Sequence, residues 1–192
     1  MKRSNRASCE PVVMNGFEGL MRGSICDWER KNFYGRLLWL FPLAYLFHVL
    51  EEASGFSLWV AQVIGGQIGQ GRFYLTNGIV MLALLGLCCL ASRRKDRPST
   101  FLLFWWVSGQ LFWNFVFHLY AQIRFSTYAP GVWTATFLYF PLYLYLSYLA
   151  LRESYLGWKG WAGGLALGAV GMGIVVWANL YHFGAIPWSA WI

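Results

Sequence analysis

The sequence predicts an all-α, polytopic membrane protein: a single bundle of five transmembrane helices, its amino terminus in the cytoplasm and its carboxyl terminus outside. Three observations carry that prediction. Of 192 residues, 58% are hydrophobic and only 12% charged, about half the charged share of a soluble domain. Five stretches are apolar over about the 20 residues that a helix needs to cross the hydrocarbon core. The basic residues fall in short segments between those stretches. The net charge of +7 would otherwise suggest nucleic acid, but basic residues placed this way act as topology signals. No nucleic-acid partner is expected, and no phosphate loop or nucleotide signature is present.

Residues 1–32 are polar and hold no apolar signal-peptide segment. They are expected to form a flexible cytoplasmic leader, with room for a short amphipathic helix over 16–21. The transmembrane domain follows over 33–192. The first span, 37–56, is unusual because Glu51 and Glu52 interrupt its end and Pro42 should kink it. The link to the second span holds an apolar core, 56–64, and then GGQIGQG. It is too short to cross, so an interfacial or re-entrant piece is expected. The second span covers 73–90 and the third 101–123. The fourth covers 132–151 and carries Pro141. The fifth, 161–183, is rich in glycine. Gly164 and Gly168 form a GxxxG spacing that allows close helix approach, expected here to serve packing within the monomer. The four cysteines, Cys9, Cys26, Cys88 and Cys89, form no CxxC pair and read as incidental.

The charges test this count. Lys2, Arg3, Arg6, Arg22, Arg30, Lys31 and Arg36 precede the first span. Arg93, Arg94, Lys95 and Arg97 separate the second from the third, and Arg152 and Lys159 the fourth from the fifth. Only Arg72 and Arg124 fall on the other side. A wrong number of spans would scramble this asymmetry, and the positive-inside rule orients the bundle.

Two acids lie in the apolar part of the chain, Glu51 and Glu52. A charged group there costs about 2–3 kcal/mol on insertion scales, so it needs a partner or a wet cavity. His48 precedes them by three and four residues, roughly on one helix face. Glu52 is nearest to the row of His48, and Glu51 could instead turn towards the outer water. At ~1.5 Å per residue, His48 lies about 16 Å and Glu52 about 22 Å along the first span, in the outer half of the bilayer. Gln110, Asn114 and His118 form a stripe on the third span, with Asn114 about 20 Å and His118 about 25 Å along it. Thr76 and Asn77 begin the second span, Asn179, Tyr181 and His182 end the fifth, and Tyr128 lies in the turn between the third and fourth. His182 is expected at the interface. Four spans thus bring polar groups to one depth. His48, Glu51, Glu52 and His118 are the candidate catalytic groups, with Asn77, Asn114, Tyr128 and Asn179 as supporting or substrate-contacting residues.

HVLEE, at 48–52, His118 and YAPG, at 128–131, stand in an order that resembles a family of small bacterial integral membrane proteins named for an HxxEE motif. That family shows a second characteristic histidine and a YxPG motif. The resemblance covers about residues 30–155 and implies a multi-pass protein of the bacterial inner membrane. It implies a site without naming a reaction, since the family's function is unknown. A weaker similarity links the four-residue spacing of His48 and Glu52 to the emopamil-binding-protein class of five-span sterol isomerases, as an analogy of mechanism.

Three functions compete on these residues. In the first, His48, Glu52 and His118 hold a divalent metal such as Zn, Fe or Mn, for which imidazole and carboxylate are suitable ligands. Glu51 is then a fourth ligand or a general base, and the substrate is a lipid or another apolar molecule. In the second, Glu52 and His48 transfer a proton on an isoprenoid- or sterol-like substrate without metal, among aromatic side chains that stabilise positive charge. Much of the aromatic content, including Trp105, Trp106, Trp188 and Trp191, also suits interfacial belts. In the third, the site conducts protons or cations, or the protein is an immunity or accessory factor.

Overall fold

The computed structural model describes residues 32–66 and 68–178. Five helices are long and apolar enough to cross a membrane: α1 Asn32–Ala53, α2 Gln70–Arg94, α3 Arg97–Phe125, α4 Val132–Arg152 and α5 Trp158–Val176. Most of the leader lies outside the described residues, as do Cys9, Cys26, Asn179, Tyr181, His182 and the expected end of the fifth span. The bundle is apolar outward, with Leu43, Phe47, Leu82, Phe137, Val170 and Ile174 exposed. His48, Glu52, Ser108 and His118 are buried. A soluble monomer rarely exposes so continuous an apolar surface, whereas lipid accepts it.

α1 begins five residues before its expected start and stops at Ala53, with Gly55 at φ −160° redirecting the chain. Pro42 has no N–H, so the carbonyl of Leu38, four residues back, loses its helical partner. Phe41 N–H turns back to it at 3.2 Å. The Cys88 thiol of α2 also donates to it at 3.4 Å. Cys88 is therefore not incidental: it satisfies an acceptor that the proline frees. It remains a free thiol, as does Cys89.

The link after α1 is a short helix, Phe56–Trp59, running into a π-helical turn at Val60–Ile64. Gly65, in the left-handed region at φ 81°, ends it. Trp59 and Val60 pack with Phe73, Ala121, Ala129 and Val132, forming an apolar layer across the ends of α1–α4. At the opposite end Asp96 starts α3, accepting from Ser99 N–H at 3.0 Å. These bonds, led by the Ser99 hydroxyl, hold its carboxyl below the ordinary range.

The fold is locked by close backbone contact between α3 and α5. A Cβ on Gly168 would lie 2.7 Å from Gly109 N and 2.7 Å from Ser108 Cβ. Gly164 abuts the backbone of Trp105. The GxxxG spacing thus serves packing within the monomer, as expected. α3 widens into a π-helical segment at Ser108–Trp113, beside this seam, and α4 does so at Ala135–Tyr139. The second widening precedes Pro141, whose missing N–H disrupts the ladder there. Both lie next to the polar cluster, and such bulges often accompany functional sites.

Candidate metal centre

α1 supplies His48 and Glu52 one turn apart, and α3 supplies His118. All three are buried, at 1%, 6% and 0% exposure. A ligand atom from each lies within 4.8 Å of the other two. Glu52 Oε1 is 3.2 Å from His118 Nε2 and 3.5 Å from His48 Nε2. The two imidazole rings meet edge to face, with centroids 4.9 Å apart. Tyr139 of α4 covers His48 from the other side, centroids 4.4 Å apart.

The hydrogen bonds fix the tautomer of His48. Thr134, on the first turn of α4, donates its hydroxyl proton to Glu51 Oε2 at 2.6 Å. Its oxygen then accepts from His48 Nδ1–H at 2.9 Å. In a neutral ring, His48 Nε2 is left with a lone pair directed at the cluster, towards which Asn114 Nδ2 donates at 3.2 Å. Such an Nδ1 partner is what orients a metal-binding histidine.

His118 is different. It has close neighbours and no hydrogen bond. Both ring nitrogens are buried without a hydrogen-bond partner among the described residues, and Nε2 makes only the ion-pair contact with Glu52. Glu52 lies near Nε2 in distance, but it is not aligned for a hydrogen bond. Leaving a buried polar atom unpaired costs about 1–3 kcal/mol, so native structures rarely tolerate it. A cation between His118, Glu52 and His48 would satisfy one of these atoms, the Nε2 beside Glu52.

Glu51 belongs to another task. Its Oε1 accepts from Tyr128 O–H at 2.7 Å and Trp133 N–H at 3.2 Å. Its Oε2 accepts from Thr134 N–H at 2.8 Å and from the Thr134 hydroxyl. These four bonds occupy about all the lone-pair sites of a carboxylate. The first N–H groups of a helix lack internal partners, so Glu51 caps α4 from across the bundle. The expectation of a fourth ligand or general base does not match this geometry. Burial, followed by the bond to Glu51, pushes the Tyr128 phenol up to about 12, which keeps it a donor at ordinary pH.

Gly131 closes the cluster. Its φ of 99° lies in the left-handed region. A Cβ there would sit 2.8 Å from both His118 Cε1 and His48 Cε1, and 3.0 Å from Glu52 Cγ. The glycine of YAPG is thus required twice, by its backbone and by the space it leaves.

The family described as proteins of unknown function with an HXXEE motif matches residues 39–146, more than half of the chain. The chain belongs to the HXXEE family. No curated protein and no solved structure matches it. The family's name refers to His48, Glu51 and Glu52 here, and the structure gives its two acids separate work. Glu52 faces the histidines, while Glu51 ties α1 to α4.

Asn77 and Asn114 both line a cavity of about 80 Å³ beside Glu52. Asn77 accepts from Tyr45 O–H at 2.6 Å, and Asn114 touches His48 directly. Thr134 and Tyr139 were not among the sequence candidates. Thr134 carried a usable signal, being a polar residue three positions after YAPG at the depth of the other polar groups. Tyr139 carried none, since an aromatic in a membrane span is common.

Proposed function

We propose that the protein is a membrane-embedded, metal-dependent enzyme acting on a lipid or another apolar substrate. The observation that carries this reading is the convergence of His48, Glu52 and His118, three buried residues that each bring one ligand atom within 4.8 Å of the others. His48, Glu52 and His118 would hold Zn, Fe or Mn, as a ligand set of two imidazoles and a carboxylate does elsewhere. A bound ion supplies Lewis acidity.

The chain's own groups do the rest. Glu51 and Thr134 hold His48 Nδ1–H, so that Nε2 faces the cluster. Asn114 occupies the single lone pair of that nitrogen in the metal-free protein, and a bound ion would displace its amide. The layer of Phe56, Trp59 and Val60 shields the centre from water on that side and keeps its electrostatics strong. Glu52 is the member of the triad that lines the cavity, so substrate would approach along it. The charge bias supports an orientation with the amino terminus inside and that cavity in the outer half of the membrane, and the family resemblance supports a bacterial inner membrane.

A second reading rests on the same cavity. Tyr45, Phe56, Phe73 and Phe117 line it with Glu52, an arrangement suited to metal-free proton transfer on an isoprenoid- or sterol-like substrate. Elemental analysis separates the two. The full chain, purified from cells supplied with zinc, iron and manganese, should carry about one ion per chain. His118→Ala and Glu52→Ala should carry none. A metal-free wild-type protein that still takes up no zinc on addition would remove the first reading.

A further inference from the structure

The cavity beside Glu52 is chemically two-sided. Its polar lining is Glu52, Thr76, Asn77, Gln110 and Asn114, with the Tyr45 hydroxyl on Asn77. Its apolar end is built by Val80 of α2 and by Met172, Val175 and Val176 of α5. α5 packs on α3 along the glycine seam and scarcely touches α2. The gap between α2 and α5 is therefore where an apolar chain could leave towards the lipid-facing surface of the bundle.

The polar atoms left over at the inner end define a head group. Asn77 is already engaged on both sides, by Tyr45 and by the carbonyl of Phe73 at 2.9 Å. Asn114 uses its amide nitrogen on His48 and keeps its carbonyl oxygen. Gln110 makes no hydrogen bond among the described residues and offers both a donor and an acceptor. These are complements for a hydroxyl or an amide, which also donates and accepts. No lysine or arginine lines the cavity among the described residues, and its one charged group is an acid. In the metal-free site a phosphate would face a carboxylate without the arginine or lysine that normally receives it, whereas a divalent ion on Glu52 would reverse that charge.

We propose that this cavity takes an uncharged single-chain amphiphile, its hydroxyl or amide head against Gln110 and Asn114 and its chain leaving between α2 and α5. The proposal rests on the reading that the site serves a lipid-like substrate, and in the metal-free site it disfavours phospholipids and alkyl phosphates. A volume of about 80 Å³ suits a head group with the start of one chain.

The test is photolabelling of the full chain in nanodiscs with a diazirine-bearing long-chain alcohol, followed by peptide mapping. Labels should concentrate on α2 and α5 near Val80 and Met172. In the chelator-washed protein, hexadecanol should compete roughly tenfold better than hexadecyl phosphate, because like charges disfavour the latter. Gln110→Lys should narrow or reverse that order. Met172→Trp should block labelling at the outlet, and it reports even where the lysine variant does not fold. Labels spread equally over Leu82 and Phe137, or a phosphate that competes as well as the alcohol in the chelator-washed protein, would overturn the proposal. The measurement is made on chelator-washed and on zinc-loaded protein. A preference for the alcohol in a protein that binds no zinc keeps the head-group assignment and removes the metal. Zinc uptake with no such preference in the washed protein does the reverse.

Discussion

Replacing Gly131 with alanine tests whether the three ligand groups converge beneath it. The added methyl would meet His118 and His48 at 2.8 Å and Glu52 at 3.0 Å. Carbon atoms pack best at about 3.5–4.0 Å, so each neighbour must retreat by roughly 0.5–1 Å. Neither ring has free space: both are buried, and Tyr139 covers His48. Overpacking of this kind costs about 1–3 kcal/mol, and a left-handed alanine adds about 1–2 kcal/mol. The expected loss of stability is therefore about 2–5 kcal/mol. Metal ligation tolerates displacement of only about 0.2 Å, so zinc affinity should fall by at least the roughly 10–100-fold seen when supporting groups are lost. Competition with a fluorescent chelator measures the affinity, and thermal unfolding in detergent measures the stability. Gly55→Ala is the control, because its Cβ would meet only Pro130 Cγ at an ordinary 3.7 Å. If Gly131→Ala matched that control in both assays, the reasoning from convergence would be wrong.

In metal-free protein, His48→Leu should lower stability by about 1–3 kcal/mol by stranding Thr134 and Asn114, while His118→Leu, which removes a partnerless Nδ1 and leaves Glu52 with His48 as its imidazole partner, should lower it less. Equal destabilisation of the two, measured by thermal unfolding, would contradict the assigned partners. Thr134→Val should weaken zinc binding about 10–100-fold and Thr134→Ser should restore it, and a valine variant with wild-type affinity would show that the Glu51–Thr134–His48 chain does not orient the ring. Because Tyr128 ionises at about 12 when folded against 10.0 ordinarily, its contribution to stability is complete below about pH 10 and is lost as pH rises through about 12. The difference in phenolate absorbance between wild type and Tyr128→Phe should have its midpoint near the upper value, and a midpoint near the ordinary one would mean that the bond to Glu51 is absent in solution.

Much of this architecture was legible residue by residue. The spans at 73–90, 101–123 and 132–151 fall inside α2, α3 and α4, because apolar length is a local property of the chain. The pairing of His48 with Glu52 was legible because a four-residue spacing puts both on one face of one helix. The convergence of His118 was legible from depth alone. Other features were hidden for identifiable reasons. The role of Cys88 depends on a carbonyl freed by Pro42 in a different helix. The role of Glu51 depends on where α4 begins relative to α1. The vacancy above the cluster depends on the φ of Gly131, which a YxPG pattern suggests but does not aim.

Hydropathy and helical periodicity therefore settled that five helices are long and apolar enough to cross a membrane, and which residues share a face. In lipid a backbone must satisfy its own hydrogen bonds, so a long apolar stretch has little choice but to be helical. Tertiary packing alone decided how those faces are turned towards one another. The π-helical turns at Ser108–Trp113 and Ala135–Tyr139 shift the register of α3 and α4, and the glycine seam sets how closely α5 approaches. Those rotations leave His118 without hydrogen bonds, hand Glu51 to the start of α4 and point Glu52 at the cavity, because side-chain direction across helices is set by contacts that no single segment contains.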